Sequence, residues 1–339
     1  MILRTESVEQ IVDGDERCTL VKQVVVTPGS QPLGMVRKRL PGPSEPRGTV
    51  VLVHGFAQNR YTWHMSRRSF SAYLASRGWD VFNVDLRGHG RSRRFGAEIP
   101  RILDDYITED LPFCVEEASH LSSAERVFLV GHSMGGLLSY AAAATSVRDR
   151  VRGIVTLGAP YRFGLGSRTL NALAQLASAV HLTGLVDSGA TVTLKGIARQ
   201  LIKQRVIWDS SAVPIPIRAW LPGSVERELL EEYLGRAFDK TSVGVALAIM
   251  RAGQEAALKS HDGSIDYGAA FELLDRPLLV VAGTHDALAP PASVRPAYDR
   301  SRSTDKSYRA FPFGHIDLIV GREAPRTVWP LIETWLSRR

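Results

Sequence analysis

Cysteine is scarce in this sequence of 339 residues: only Cys18 and Cys114 occur, and they lie far apart. Two distant cysteines do not make a disulfide framework, which favours a reducing compartment, and we predict a cytoplasmic location. Neither cysteine lies in the kind of glycine turn that would present a nucleophile. We therefore interpret both as small buried apolar side chains.

Long apolar runs are also missing. Residues 1–7 are mostly polar and lack the apolar segment of a secretory signal. No uninterrupted apolar stretch is long enough to span a bilayer, so we expect no integral membrane segment. With 44% hydrophobic and 23% charged residues, the composition is that of an ordinary globular protein. The length suffices for one large α/β domain with an insertion or for two domains.

Motifs for metals, dinucleotides and nucleic acids do not occur. The sequence has no H-E-x-x-H motif and no clustered cysteine and histidine spacing. Gly164-Leu165-Gly166 lacks the third glycine and the strand–turn–helix setting of a dinucleotide site. Zinc-finger spacing and interleaved aromatic and basic residues are missing as well. We expect neither a metal nor a cofactor, and no nucleic-acid partner.

Acidic residues are outnumbered: 42 lysines and arginines face 35 aspartates and glutamates, which gives a net charge of +7. Arginine is concentrated in one stretch, at Arg87, Arg91, Arg93, Arg94 and Arg101. A solvated loop explains this cluster simply, and attraction of an anionic substrate or an anionic membrane surface is the alternative. Both interpretations stay open, and peripheral membrane contact stays open with them.

The most informative stretch begins with residues 127–130, Val-Phe-Leu-Val, which are typical of a strand buried on both faces. Residues 131–135, Gly-His-Ser-Met-Gly, follow at once, and the sequence after them is typical of a helix. This is a G-x-S-x-G motif in its strand-to-helix setting, so we predict that Ser133 is a nucleophile. The tight turn should strain the backbone of Ser133. A Cβ at Gly131 or Gly135 should collide with the neighbouring strand and helix.

Strands and helices alternate along most of the chain. Because parallel strands need helical crossovers, this alternation predicts an α/β fold, a mostly parallel sheet with helices on both faces. A shorter, more polar strand near the end is typical of a sheet edge. The predicted strands are 17–26, 34–40, 49–56, 79–85, 127–130, 151–157, 277–282 and 306–311, and the predicted helices around them are 66–76, 107–121, 136–144 and 324–337.

The pattern changes in the middle of the chain, where helices but no comparable strands are predicted. Because strands resume at residue 277, we interpret this segment as a helical lid inserted over the active edge of the sheet. A separate helical domain is the alternative. The predicted lid helices are 167–180, 224–238 and 241–259. The predicted division is 1–160 for the first part of the core, 161–276 for the lid and 277–339 for the second part of the core.

A serine hydroxyl needs a base to accept its proton and a carboxylate to fix the tautomer of that base. In an open parallel sheet these groups must lie in loops at the carboxyl ends of strands. His315 meets this condition, since it follows the last strand and precedes the last helix, whereas His132 is expected to point away from the turn. Asp286, after the penultimate strand, is the predicted acid. Asp85 and Asp317 are its rivals, and we expect Asp317 to help start the terminal helix instead.

The oxyanion of a tetrahedral intermediate needs hydrogen-bond donors. The backbone N–H of Met134, at the start of the helix, is one predicted donor. The other is the backbone N–H of Phe56, in the loop after the strand that ends in His-Gly. Because both donors are backbone groups, the side chains at these two positions should matter little to this role.

With these motifs in place, the chain resembles the α/β-hydrolase family. The matching segments are 54–56 (His-Gly-Phe), 85–92 (Asp-Leu-Arg-Gly-His-Gly-Arg-Ser), 131–136, 283–286 and 314–315. The resemblance implies a mostly parallel eight-stranded sheet, a lid where the insertion falls, and serine esterase, lipase, thioesterase or related acyl-transfer activity. Residues 314–336 also resemble the end of polyhydroxyalkanoate synthases. Those enzymes have cysteine at the position of Ser133, in the strand-to-helix turn called the nucleophile elbow. Haloalkane dehalogenases and epoxide hydrolases have aspartate there, so the serine favours ester hydrolysis.

We predict a cofactor-independent serine hydrolase that cleaves carboxylic esters through an acyl-enzyme. Its partner is a small-molecule acyl ester or thioester. The apolar faces of the lid helices favour an apolar acyl chain, although they serve lid packing equally well. An acyltransferase or thioesterase on the same triad is the first alternative. A non-catalytic binding protein of this fold is the second, and competent residues at all three triad positions disfavour it.

Overall fold

The computed structural model describes residues 1–172, 175, 190–204, 207, 209–213, 218–254 and 258–339. Its strands in chain order are β1 (Ile2–Asp13), β2 (Glu16–Val26), β3 (Gly34–Arg39), β4 (Thr49–Val53), β5 (Asp80–Asp85), β6 (Val127–His132), β7 (Val151–Leu157), β8 (Thr191–Thr193), β9 (Lys240–Ser242), β10 (Leu278–Gly283) and β11 (Lys306–Phe311). β8 and β9 form a small ribbon. The other nine strands form one sheet in the order β1-β2-β3-β5-β4-β6-β7-β10-β11.

The fold class is as predicted, but the sheet has nine strands instead of eight. The additional strand is β1, which pairs antiparallel with β2 from Ile2 opposite Val25 to Asp13 opposite Glu16. β1 lies at the edge of the sheet, and most of its side chains are exposed or only partly buried. Val12 is the one fully buried side chain of β1, so the strand has no clear apolar alternation, and its sequence gives no strand signal.

Six neighbouring strands, β5, β4, β6, β7, β10 and β11, run parallel to one another. Their carboxyl ends therefore lie along one side of the sheet, where ligands bind in open α/β sheets. β11 is the strand at the edge opposite to β1. The predicted edge strand at 306–311 is thus confirmed.

Helices pack on both faces of the sheet: α1 (Phe70–Ser76), α2 (Gly90–Arg94), α3 (Leu111–Ser122), α4 (Met134–Ala144), α5 (Leu194–Lys203), α6 (Arg227–Arg236), α7 (Val243–Gln254), α8 (Tyr267–Glu272), α9 (Pro291–Arg300), α10 (Asp317–Val320) and α11 (Val328–Ser337). Buried side chains of α3, α4 and α9 belong to the core on one face, and those of α1 and α11 belong to the core on the other. Across the described residues, no helix is both long and apolar enough to cross a membrane.

The segment between β7 and β10 contains α5 to α8 and the β8–β9 ribbon. Two predicted lid helices occur in shortened form, as α6 and as α7, which begins after β9. Most of the third, 167–180, lies outside the described residues. α8 packs on α4, with the ring centres of Phe271 and Tyr140 4.5 Å apart, so the end of the segment contributes to the core. The division at residues 160 and 276 stays a prediction.

Lys38 is a cationic residue buried in the core. Its side chain, on β3, is 1% exposed, and its Nζ donates a hydrogen bond to the hydroxyl of Ser71 on α1 at 2.9 Å. Burial lowers the pKa of Lys38 from 10.5 to about 7, and the neighbouring cations Lys22 and Arg60 lower it as well. This amine is therefore neutral in much of the native population near neutral pH.

Cys18 and Cys114 are both free thiols. Cys114, on α3, is fully buried, whereas Cys18, on β2, is only partly buried. Burial raises the pKa of both thiols, and it does so more strongly for Cys114. A raised pKa disfavours the thiolate form that a nucleophile requires.

Candidate active site

Ser133 occupies the turn between β6 and α4, at the carboxyl end of its strand. Its backbone has φ 53° and ψ −123°, an unusual conformation for a residue with a side chain, at a cost of roughly 1–3 kcal/mol. A Cβ at Gly131 would lie 2.4 Å from the carbonyl oxygen of Gly135, and a Cβ at Gly135 would lie 2.3 Å from that of Val53. The strained serine and the two close-packed glycines therefore occur as the motif predicts.

His315 and Asp286 form a buried hydrogen-bonded pair in the loops after β11 and β10. Nδ1 of His315 lies 2.7 Å from Oδ2 of Asp286, and the two residues are 4% and 3% exposed. The other carboxylate oxygen accepts the backbone N–H of Leu288 at 2.8 Å and of Ala289 at 2.7 Å. Because an ionised carboxylate only accepts, this arrangement places a proton on Nδ1 and leaves Nε2 as the basic nitrogen.

Gly158, which the sequence pattern does not single out, borders this pair. It follows β7, has φ 54°, and donates its N–H to the carbonyl of Val281 on β10 at 2.9 Å. A Cβ at this position would lie 3.0 Å from Oδ2 of Asp286 and 3.1 Å from Nδ1 of His315. The glycine therefore leaves the space in which the carboxylate and the imidazole meet. A glycine directly after a buried parallel strand is the signal that could have indicated it.

Asp317, the first rival for the acid, holds the loop that carries His315. Its Oδ2 accepts the backbone N–H of Gly314 at 2.8 Å and of Leu221 at 2.9 Å, and its Oδ1 accepts the hydroxyl of Ser224 at 2.8 Å. Burial raises the pKa of this carboxyl, against the lowering effect of these hydrogen bonds. Asp317 begins the four-residue α10. The expectation that it starts the terminal helix is wrong, because the loop after His315 forms a short helix of its own before α11.

Asp85, the second rival, ends β5 and is bound by residues close to its own strand. Its Oδ1 accepts the backbone N–H of Arg60, and its Oδ2 accepts Nη1 of the same residue, each at 2.7 Å. The backbone N–H of Arg91 also donates to Oδ2, at 2.8 Å. The carboxylate is fully buried. Both of its oxygens are thus bound by Arg60, in the segment after β4, and by Arg91 of α2, and neither is paired with His315.

His132, which sequence reasoning set aside, packs directly against His315. The centres of the two rings are 4.5 Å apart, and Nε2 of His132 lies 3.2 Å from the carbonyl oxygen of His315. Burial lowers the pKa of His132 well below its ordinary value, and the neighbouring His315 lowers it as well. His132 is therefore a neutral ring that supports His315. Its position directly before Ser133 is the signal that could have indicated this contact.

The loop after β4 packs against the turn that contains Ser133. A Cβ at Gly55 would lie 3.1 Å from the Cβ of Ser133, and Ala57 has a positive φ of 55°. Within the described ranges, neither Phe56 nor Met134 donates its backbone N–H to another group of the protein. These two N–H groups therefore have no hydrogen-bond partner among the described residues.

Comparisons with known proteins agree with this architecture. A family profile described as alpha/beta hydrolase fold matches residues 48–180. A monoacylglycerol lipase of Mycolicibacterium smegmatis is 29% identical over 275 residues, which cover 79% of this chain and 81% of the lipase. A poly(3-hydroxyalkanoate) polymerase subunit PhaC of Haloarcula marismortui is 23% identical over 298 residues, which cover 86% of this chain and 61% of the subunit.

A solved structure extends the likeness to three dimensions. The crystal structure of a monoacylglycerol lipase of Paleococcus ferrophilus has a TM-score of 0.60 and 21% sequence identity, and the match covers 90% of this chain and 98% of that one. At this identity the likeness concerns the fold alone. The chain therefore has the α/β-hydrolase fold.

Proposed function

We propose that this protein is a serine hydrolase that cleaves carboxylic esters through an acyl-enzyme. The observation that supports this most directly is the buried hydrogen bond between His315 and Asp286. This hydrogen bond leaves Nε2 of His315 as the basic nitrogen, at the side of the sheet where the parallel strands end and where Ser133 occupies a strained turn. Similarity to a monoacylglycerol lipase over 79% of the chain supports an acyl ester as the substrate class.

In the proposed mechanism, Nε2 of His315 accepts the proton of the Ser133 hydroxyl while Oγ bonds to the ester carbonyl carbon. The carbonyl oxygen becomes an oxyanion and accepts hydrogen bonds from the backbone N–H groups of Phe56 and Met134. When the intermediate collapses, the bond to the alcohol breaks, and the imidazolium protonates the departing oxygen. A water molecule, deprotonated by the same nitrogen, then bonds to the acyl carbon; the bond from that carbon to Oγ breaks, the imidazolium returns its proton to Oγ, and the acid is released. Asp286 stabilises the imidazolium in both halves of the reaction.

An apolar acyl chain is the proposed specificity, supported by the lipase relative and by the apolar faces predicted for the lid helices. Hydrolysis of p-nitrophenyl esters with acyl chains of increasing length tests it. We expect the native protein to hydrolyse these esters, with a preference for longer chains over acetate. Ser133→Ala is the control and should lose roughly a factor of 10⁴ or more in kcat, as nucleophile removal does in serine proteases. Equal activity of this variant would exclude Ser133 as the nucleophile.

Covalent labelling tests the nucleophile without reference to a substrate. A fluorophosphonate probe should modify the folded native protein at Ser133, as identified by peptide mass spectrometry, and should not modify Ser133→Ala. A folded protein that neither reacts with the probe nor hydrolyses any ester would instead support a non-catalytic binding protein of this fold.

Acyl transfer to an alcohol or thiol is the second candidate, because the polymerase subunit matches 86% of this chain. The same triad would serve both reactions, and only the acceptor would differ. Product analysis with competing alcohols and thiols separates them, since transfer gives a new ester or thioester and hydrolysis gives the free acid. Acyl thioesters in the same assay identify a thioesterase. We favour hydrolysis, because this chain has Ser133 where the synthases that it resembles have cysteine.

The cytoplasmic location and the lid at 161–276 remain part of this proposal. The free thiols of Cys18 and Cys114 support the first, and the change from alternating strands to helices after β7 supports the second. Limited proteolysis tests the lid division, because an inserted lid should be cleaved while fragments of the sheet core stay associated.

A further inference from the structure

A cleft of about 500 Å³ opens between the loop after β4, the helix α2 and the end of α6. Four arginines and one carboxylate line it: Arg60, Arg93, Arg94, Arg236 and Asp239. Cationic side chains therefore outnumber the one carboxylate among the residues that line it. Two of these arginines belong to the cluster between residues 87 and 101 that the sequence shows.

Two of the four arginines already have acidic partners. Nη1 of Arg60 lies 2.7 Å from Oδ2 of Asp85, and Nη1 of Arg236 lies 2.9 Å from Oε1 of Glu232. Both guanidinium groups also lie over the ring of Tyr61, at 4.5 Å and 5.7 Å from its centre. These contacts fix Arg60 and Arg236 in the wall of the cleft.

Arg93 and Arg94 differ from these two. Both side chains are exposed, and neither guanidinium forms an ion pair or a hydrogen bond with any residue that the structure describes. Arg87, from the same cluster, is by contrast bound, with its Nε 2.6 Å from Oδ1 of Asp110. The carboxylate of Asp239 is also bound. This residue is 6% exposed and accepts a hydrogen bond from Nδ2 of Asn59 at 2.7 Å.

We propose that this cleft binds a phosphate-bearing ligand, which Arg93 and Arg94 contact directly. A guanidinium group donates paired N–H bonds in a planar fork that matches the oxygens of a phosphate. A phosphate group also offers two adjacent guanidinium groups more acceptor oxygens than a carboxylate does. The phosphate belongs either to a small phosphorylated molecule or to the headgroup of an anionic lipid. Binding in this cleft does not require Ser133, so it is independent of the proposed hydrolysis.

Isothermal titration calorimetry of the full chain with inorganic pyrophosphate, at low ionic strength, tests the first source. We expect Arg93→Gln/Arg94→Gln to raise Kd about tenfold or more, because each lost charge-assisted hydrogen bond contributes roughly that factor. The matched control is Arg126→Gln/Arg152→Gln, which removes the same charge from another arginine-lined cleft, of about 390 Å³. It should leave Kd unchanged.

Sedimentation with phosphatidylglycerol vesicles, compared with phosphatidylcholine vesicles, tests the second source. Binding to phosphatidylglycerol alone that the Arg93/Arg94 variant loses and the control keeps would identify a lipid headgroup. The same pattern with pyrophosphate would identify a small phosphorylated molecule. An equal effect of the two variants, or no binding in either experiment, overturns the proposal. Thermal unfolding should give the same midpoint for both variants, since all four exchanged side chains are exposed.

Discussion

Replacing Asp286 by asparagine should remove most of the ester hydrolysis without unfolding the protein. Asparagine has nearly the same shape, and its carbonyl oxygen can keep the backbone hydrogen bonds from Leu288 and Ala289 that now end on Oδ1. Its NH₂ group then faces Nδ1 of His315, where Oδ2 now lies at 2.7 Å. An NH₂ group only donates, so Nδ1 must accept, and the proton of the neutral ring moves to Nε2.

This change of tautomer removes the base. With its proton on Nε2, His315 cannot accept the proton of Ser133, and the imidazolium loses its negative neighbour in a site where the two partners are only 4% and 3% exposed. The equivalent substitution in serine proteases lowers kcat by about 10⁴, which is about 5.5 kcal/mol of transition-state stabilisation. We expect a loss of this size in kcat and a smaller change in KM.

The measurement is kcat and KM for a p-nitrophenyl ester over a range of pH, together with urea unfolding of each variant. Asp317→Asn is the matched control. Its NH₂ group replaces one of the two oxygens that now accept from Gly314, Leu221 and Ser224. It should therefore lower the free energy of unfolding by about 1–3 kcal/mol and affect kcat less than Asp286→Asn does. If Asp286→Asn kept a kcat within about tenfold of the native value while Asp317→Asn lost nearly all activity, Asp286 would not be the acid.

Lys38→Met should remove a pH dependence of stability. The pKa of this amine is about 7 in the folded protein and 10.5 in the unfolded chain. Between these values the unfolded state binds more protons, so the free energy of unfolding of the unsubstituted protein should rise by about 2 kcal/mol from pH 7 to pH 9. Urea titrations should show this rise in the exposed control Lys203→Met but not in Lys38→Met. Gly158→Ala should lower kcat/KM about tenfold or more. The alanine Cβ would displace the pair formed by Asp286 and His315, and alanine is strained at the positive φ of this position. Unchanged kinetics in this variant would contradict the role given to the glycine. Phe56→Ala should keep kcat within about threefold on the same ester, because the proposed oxyanion donor at this position is the backbone N–H, which the substitution retains.

Local sequence patterns predict the parts of the site that are local in the chain. β6, the elbow and α4 follow one another directly, so the strand signal, the glycines and the helix signal together indicate Ser133. The positions of Asp286 and His315 follow from one topological rule, that parallel strands end at the same side of a sheet. The buried hydrogen bond between them agrees with that rule.

Contacts between distant parts of the chain account for what the sequence does not predict. The role of Gly158 depends on side chains from the loops after β10 and β11, which meet beside it only in the folded protein. Asp317 is bound by Leu221 and Ser224 from the middle segment, and its own spacing gives no sign of either. β1 is held by backbone pairing at an exposed edge, where burial does not impose an apolar pattern.

The backbone of the turn at Ser133 determines where the side chain at this position lies, but it does not determine which reactive group that side chain carries. The torsion angles of the turn and the close approach of Gly131 and Gly135 involve main-chain atoms, so exchanging the hydroxyl for a thiol or a carboxyl group should not disturb the scaffold. Such an exchange would change the covalent intermediate and the range of leaving groups that the protein tolerates. One codon could thus redirect the chemistry of this fold while the architecture around it stays the same.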